Sequence, residues 1–390
     1  MSDWRIPGFT STGSKRPEAL FGEGYDASLP TQMVRAAGAR VWDAAGREYL
    51  DYVMALGAVA LGYGHAAVSR AATDAVAAGG VGSLPPVEEE RLAEVLAQRL
   101  PWFERVRFLK TGAEAVAAAV RIARVATGRE EVLGCGYHGW LDWCQGRAEG
   151  VPSGTRAVFA ELPFNDPERA REMIRYRADR LAAVVVEPVV VSEPRREWLE
   201  TLRDETQRVG AVLVFDEIKT AFRLALGGAA ERYGVRPDLA VIGKALANGF
   251  PLAAVGGRAD VMAAASRTWI SSTLATETVA LAAALATLEV FEREGVCDHL
   301  HRVGTRLLHG MHRLQHEHAH ALASVGGVAE MCFLHFVNDD LSRTVAVGLA
   351  KRGILFKRTA YNFVSLAHAE ADVDATLAAL EEVLQQAEGA

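Results

Sequence analysis

The residues best equipped for chemistry stand at the ends of two apolar runs. Ala211-Val-Leu-Val-Phe-Asp216-Glu217-Ile218-Lys219-Thr220 closes on a pair of acids, and Pro237-Asp-Leu-Ala-Val-Ile-Gly243-Lys244-Ala245 closes on a lysine. If both runs are buried strands of one parallel sheet, Asp216 and Lys244 share its carboxyl edge, where open α/β sheets take their ligands. An aspartate and a lysine facing one crevice can form a plain ion pair, or serve as acid, base and nucleophile. Phe108-Leu-Lys-Thr111-Gly112-Ala113-Glu114-Ala115 reads as a strand, a glycine turn and the first turn of a helix. The free N–H groups and positive dipole end of such a turn favour phosphate, although any strand-turn-helix junction has this form. Tyr137-His138-Gly139-Trp140 follows the next strand and offers either an aromatic ring at the same edge or ordinary packing. Only six lysines occur (Lys15, Lys110, Lys219, Lys244, Lys351 and Lys357), so lysine chemistry has few candidates, and Lys219 is the one rival to Lys244.

These residues need a scaffold, and the hydrophobic pattern supplies one. Between about 105 and 260, short Val/Ile/Leu-rich runs alternate with segments of helical spacing, the mark of a buried, mostly parallel sheet with crossover helices. Strands are expected at 105–109, 132–135, 157–162, 181–186, 211–215, 239–242 and 252–255, and helices at 113–126, 167–180 and 198–209. A large domain over 56–276 follows, with a smaller α+β domain over 277–390 that the first 55 residues join. In the smaller domain, helix is expected at 298–321, 341–352 and 372–386, and strand at 33–42, 48–53, 329–336 and 363–366.

The 390 residues carry 42 basic and 49 acidic side chains, a net charge of −7, which gives nucleic acid or an anionic membrane no overall basic field to meet. Half the residues are hydrophobic and 23% charged, which excludes extended disorder. No apolar run is long enough to span a bilayer, and the Met1–Arg5 opening lacks the order of a signal peptide, so a cytoplasmic location is expected. Cys135, Cys144, Cys297 and Cys332 include no C-x-x-C pair and are expected to be reduced thiols.

Together the segments resemble the class III pyridoxal-phosphate aminotransferases, in the branch around glutamate-1-semialdehyde aminomutase. The likeness runs from Val41-Trp-Asp-Ala-Ala-Gly-Arg-Glu-Tyr-Leu-Asp51-Tyr to Ser365-Leu-Ala-His-Ala-Glu-Ala-Asp-Val, most of the chain. It implies fold type I, a homodimer with shared active sites, and pyridoxal 5′-phosphate as cofactor. Lys244 matches the Schiff-base lysine that shuttles protons, and Asp216 the acid that keeps the pyridine nitrogen protonated. Thr111, Gly112 and Ala113 match the phosphate loop. Tyr137 matches the residue stacked on one ring face, with His138 beside it, and Ile218 the residue on the other face. Thr273 matches the threonine that reaches the neighbouring subunit's phosphate, and Glu187 fits a supporting place at a strand end.

Departures from the family bear on substrate. The aminomutase's Ser-Pro-Val-Arg corresponds to Arg16-Pro17-Glu18-Ala19, so its carboxylate-binding arginine is replaced by Ala19; a glutamate near its C-terminal motif is replaced by Ala360. The usual Ser or Thr after the phosphate-loop glycine is Ala113, and Thr276-Glu277-Thr278 stands in place of Gly-Asn-Pro. A site stripped of its cationic anchor loses one of the stronger contacts to a carboxylate. Intermolecular transfer from an amino donor to a carbonyl acceptor is therefore expected, on a keto sugar, cyclitol or other secondary-metabolite ketone, with intramolecular amino transfer as the alternative. Trp140, Trp143, Glu277, Tyr361 and Asn362 are candidate substrate contacts, and each type serves equally as a helix cap or packing residue.

Rival readings come from other classes. His316-Glu317-His318-Ala319-His320 satisfies H-E-x-x-H, a zinc-hydrolase pattern, in a segment simply rich in histidine. No metal site is expected. Gly62-Tyr-Gly64-His-Ala-Ala67 imitates a dinucleotide turn but reads better as a close-packed turn. A non-catalytic binding protein would have no reason to keep Asp216 and Lys244.

Overall fold

Seven strands form the large sheet, and along its central strands alternate residues bury against different helical layers. In the computed structural model, residues 5–26, 28–145 and 149–388 are described; the Met1–Trp4 start of the leader question lies outside them. Val212 and Val214 pack with helix Gly112–Thr127, whereas Leu213 and Phe215 pack with helices Pro167–Tyr176 and Arg196–Val209. Leu181–Val186 is buried at every position, as a central parallel strand covered on both faces must be. Across the sheet the order is Arg105–Leu109, Ala253–Gly257, Leu239–Ile242, Val212–Asp216, Leu181–Val186, Glu131–Cys135 and Phe159–Glu161. Ala253–Gly257 runs antiparallel to both its neighbours and every other pairing is parallel, so the expected α/β class and the mostly parallel seven-stranded sheet are both present.

The chain divides into two compact units, Ala66–Cys297 and Met1–His65 with Asp298–Ala390. The division falls at 65/66 and 297/298 rather than at 55/56 and 276/277, because helix Thr278–Glu294 packs on helices Ala66–Ala77 and Val87–Arg99 and so belongs to the large unit. The smaller unit holds a four-stranded and a three-stranded sheet with helices Val296–Glu317, Asp339–Lys351 and Glu370–Glu388, an α+β arrangement. Two expectations there need correction. The single strand over 33–42 is a hairpin, Met33–Ala37 against Arg40–Asp43, reversed at Gly38 with φ 57°. The helix expected to 321 stops at Glu317, and Leu322–Val328 is a strand paired with Met331–Phe336. Gly62 sits in the close-packed turn expected of it: with φ 92°, a Cβ there would lie 2.7 Å from Ala367 Cβ.

Candidate active site

The carboxyl ends of neighbouring strands deliver the acid and the amine. Asp216 closes Val212–Asp216 and is 2% exposed. Its Oδ2 lies 2.9 Å from His138 Nδ1, and its Oδ1 accepts the Ile218 N–H at 3.2 Å. His138 is itself buried and stacks on Trp143, ring centroids 5.9 Å apart, so its imidazole is held from two sides. Lys244 follows Leu239–Ile242 in the left-handed backbone region, φ 47°. Its ammonium is disfavoured by burial first and by the Lys219 charge next, and together with the smaller influences of Glu187, Arg223 and Asp216 this brings the amine down to about 8.

Thr111 caps helix Gly112–Thr127 through a capping box: its hydroxyl accepts the Glu114 N–H while the Glu114 carboxylate accepts the Thr111 N–H at 2.9 Å. That leaves the N–H groups of Gly112 and Ala113, in the first turn, for an anion. Two glycines make this turn possible. A Cβ on Gly112 would lie 2.5 Å from Ile218 Cδ1, so the bare Cα admits Ile218 against the turn; a Cβ on Gly139 would lie 2.5 Å from that of Ala113. Glu187, buried at the end of Leu181–Val186, accepts the Tyr137 N–H at 2.9 Å and pairs with Lys219 at 2.9 Å. Tyr137 and Trp140 are both largely exposed.

Residues 22–387 match the class-III aminotransferase family. The chain belongs to the class-III aminotransferases. This is a pyridoxal-phosphate-dependent family of enzymes, and the large sheet is its fold type I core. A glutamate-1-semialdehyde 2,1-aminomutase from Neisseria gonorrhoeae is 35% identical over 97% of this chain and 96% of its own length. Among solved structures, the FumI protein of Sphingopyxis sp. MTA144, described in its PLP internal aldimine form, superposes with a TM-score of 0.90 at 27% identity, covering 98% of this chain and 94% of that one. A β-phenylalanine aminotransferase from Variovorax paradoxus gives 0.86 at 29% identity, covering 99% and 92%.

For a class-III aminotransferase, the large unit thus gathers Thr111, Gly112, Ala113, Tyr137, His138, Glu187, Asp216, Ile218 and Lys244 at one sheet edge. Thr273 stands on an exposed turn of the same unit. Glu277 is a helix cap: its carboxylate accepts the N–H groups of Val279 and Ala280 and pairs with Lys110 at 2.6 Å, which leaves little of it for a substrate. Tyr361 and Asn362 belong to the smaller unit. There Asn362 bonds both the N–H and the C=O of Lys357, and Tyr361 packs on Phe333. Trp143, expected beside Trp140 as a substrate contact, is instead buried against His138. The zinc pattern fails on geometry. The helix ends at Glu317, which is ion-paired with Arg313 at 2.6 Å, and His320 lies past the end, so the two histidines share no helical face. Among the described residues no three metal-ligating side chains cluster, and no helix is long and apolar enough to cross a membrane. The sequence reading missed the Lys219–Glu187 pair; the signal for it was two charged residues at ends of adjacent buried strands.

Proposed function

We propose that the protein moves an amino group between separate molecules, from an amino-acid donor to a ketone or aldehyde acceptor, with Lys244 as the reacting amine. The observation that carries Lys244 as the reacting amine is its place beside a buried Asp216, fixed by His138, on neighbouring strand ends, where burial disfavours the ammonium. The donor set fits pyridoxal phosphate part by part. The Gly112 and Ala113 N–H groups suit its phosphate, Asp216 a protonated ring nitrogen, Tyr137 and Ile218 the two faces of a flat ring, and Lys244 its aldehyde.

Bound there, the cofactor supplies a carbonyl that takes up amines and a protonated ring that draws electrons from the adjoining carbon. The chain's own residues do the rest. Asp216 holds a proton in place on its partner nitrogen, and His138 fixes the orientation of that carboxylate. Lys244 Nζ acts as nucleophile, then accepts and returns a proton. With an ordinary lysine value near 10.4, roughly one amine in a thousand would be neutral at pH 7.4, against about one in five at a value near 8.

Ala19 and Ala360 support transfer between molecules, because both charged residues of the aminomutase pattern are absent. The 35% identity to a named aminomutase favours the intramolecular alternative. Thr273 and the largely exposed Trp269 and Leu274 on the same loop support a homodimer in which this loop meets the neighbouring subunit. Borohydride reduction of the protein with pyridoxal phosphate, followed by peptide mapping, should place the label on Lys244. Label on Lys219 overturns the assignment, and efficient conversion of glutamate 1-semialdehyde without a second substrate overturns the intermolecular reading.

A further inference from the structure

Lys219 is a charge that this chemistry does not use. Its side chain is 12% exposed and is held at 2.9 Å by Glu187, whose second oxygen is engaged by the Tyr137 N–H. Strand register fixes where its segment leaves the sheet. Asp216 pairs with Val241 on the neighbouring parallel strand, and Lys219 and Lys244 each follow three positions later. Val186 pairs with Phe215, which sets Glu187 beside Asp216. Two ammonium groups and two carboxylates therefore crowd the ends of three adjacent strands, with the Arg223 guanidinium from the following turn and His138 on Asp216 completing the charged surroundings.

We propose that Lys219 is a positioning residue for the reaction at Lys244: a fixed cation, pinned by Glu187, that disfavours a second positive charge on the neighbouring amine. The inference rests on Lys244 being the reacting amine. Burial and the Lys219 charge both disfavour the Lys244 ammonium, and the Glu187 carboxylate opposes them. In a partly desolvated site such a charge acts more strongly than it would in water. The pair thus fixes one positive charge beside the strand end that carries Lys244.

Lysine labelled with 13C at Cε resolves the titration of each amine in cofactor-free protein, and the signal absent from Lys244→Ala identifies Lys244. Lys219→Met should raise the Lys244 midpoint from about 8 toward that of an ordinary lysine, and Lys219→Arg should leave it in place. Glu187→Gln should lower it. The opposite signs are the test, because both Lys219→Met and Glu187→Gln break the same ion pair, and a purely structural role would move Lys244 alike in both. Movement in one direction, or none in Lys219→Met, overturns the proposal. Lys357, buried in the smaller unit and also brought to about 8 by desolvation, should stay fixed in every variant. Borohydride label on another lysine would sink the functional reading while leaving this titration intact, so the two failures are distinguishable.

Discussion

Replacing His138 by phenylalanine would remove Nδ1 while keeping a flat ring against Trp143. Asp216, 2% exposed, would then keep the Ile218 N–H at 3.2 Å as its hydrogen-bond donor among the described residues. Leaving a buried polar group without its hydrogen-bond partner costs about 1–3 kcal/mol, and more when the group is charged. Asp216 keeps the Ile218 contact, which places the expected cost at about 3 kcal/mol. In the opening equilibrium of the sheet that is roughly a 150-fold change. Amide exchange in cofactor-free protein, read on peptides covering Leu181–Val186 and Val212–Asp216, should accelerate by about that factor. Adding Asp216→Asn should recover most of the loss, because an unpaired amide costs far less to bury than a carboxylate. An acceleration below about tenfold, or a double variant no slower to exchange than His138→Phe alone, would refute the claim that this pair is a coupled, buried unit.

Glu217, fully buried and pushed up to about 7 chiefly by desolvation, carries a linked pH dependence. Its folded value lies above the unfolded one, so its contribution is complete below about 4.5 and declines as pH rises through 7; Glu217→Gln should gain about 3 kcal/mol relative to the parent between pH 4.5 and 8, and a pH-independent difference would contradict this. Gly228 has φ 64°, and a Cβ there would clash with Glu217 Oε2, so Gly228→Ala should lower the thermal midpoint by roughly 5 °C or more; a neutral substitution would mean that the turn relaxes freely. Zinc in excess, then EDTA, should leave the midpoint unchanged, since His316 and His320 share no helical face, and a rise of several degrees with zinc would reopen a metal role.

The large sheet was legible because its strands are pure apolar runs: Leu181–Val186 and Leu239–Ile242 lie where hydrophobicity alone puts them. Which domain helix Thr278–Glu294 belongs to was not legible, since that depends on packing against helices about two hundred residues earlier. The hairpin at Gly38 was hidden because one glycine in an apolar stretch reads equally as strand interior. At the site, Asp216 and Lys244 could be named from their strands, whereas the roles of Glu277 and Trp143 could not. Both types serve as caps, walls or ligands, and only the Val279 and Ala280 N–H groups in one case and the His138 ring in the other decide.

The backbone of Lys244 has a consequence for anyone seeking a sturdier protein. At φ 47° it occupies a region that costs a residue with a side chain about 1–3 kcal/mol and costs glycine almost nothing. A search for heat-resistant variants guided by stability alone would thus be drawn to write glycine at 244. The most comfortable residue for the chain at that position is one with no amine, so any selection for robustness needs a simultaneous selection for turnover.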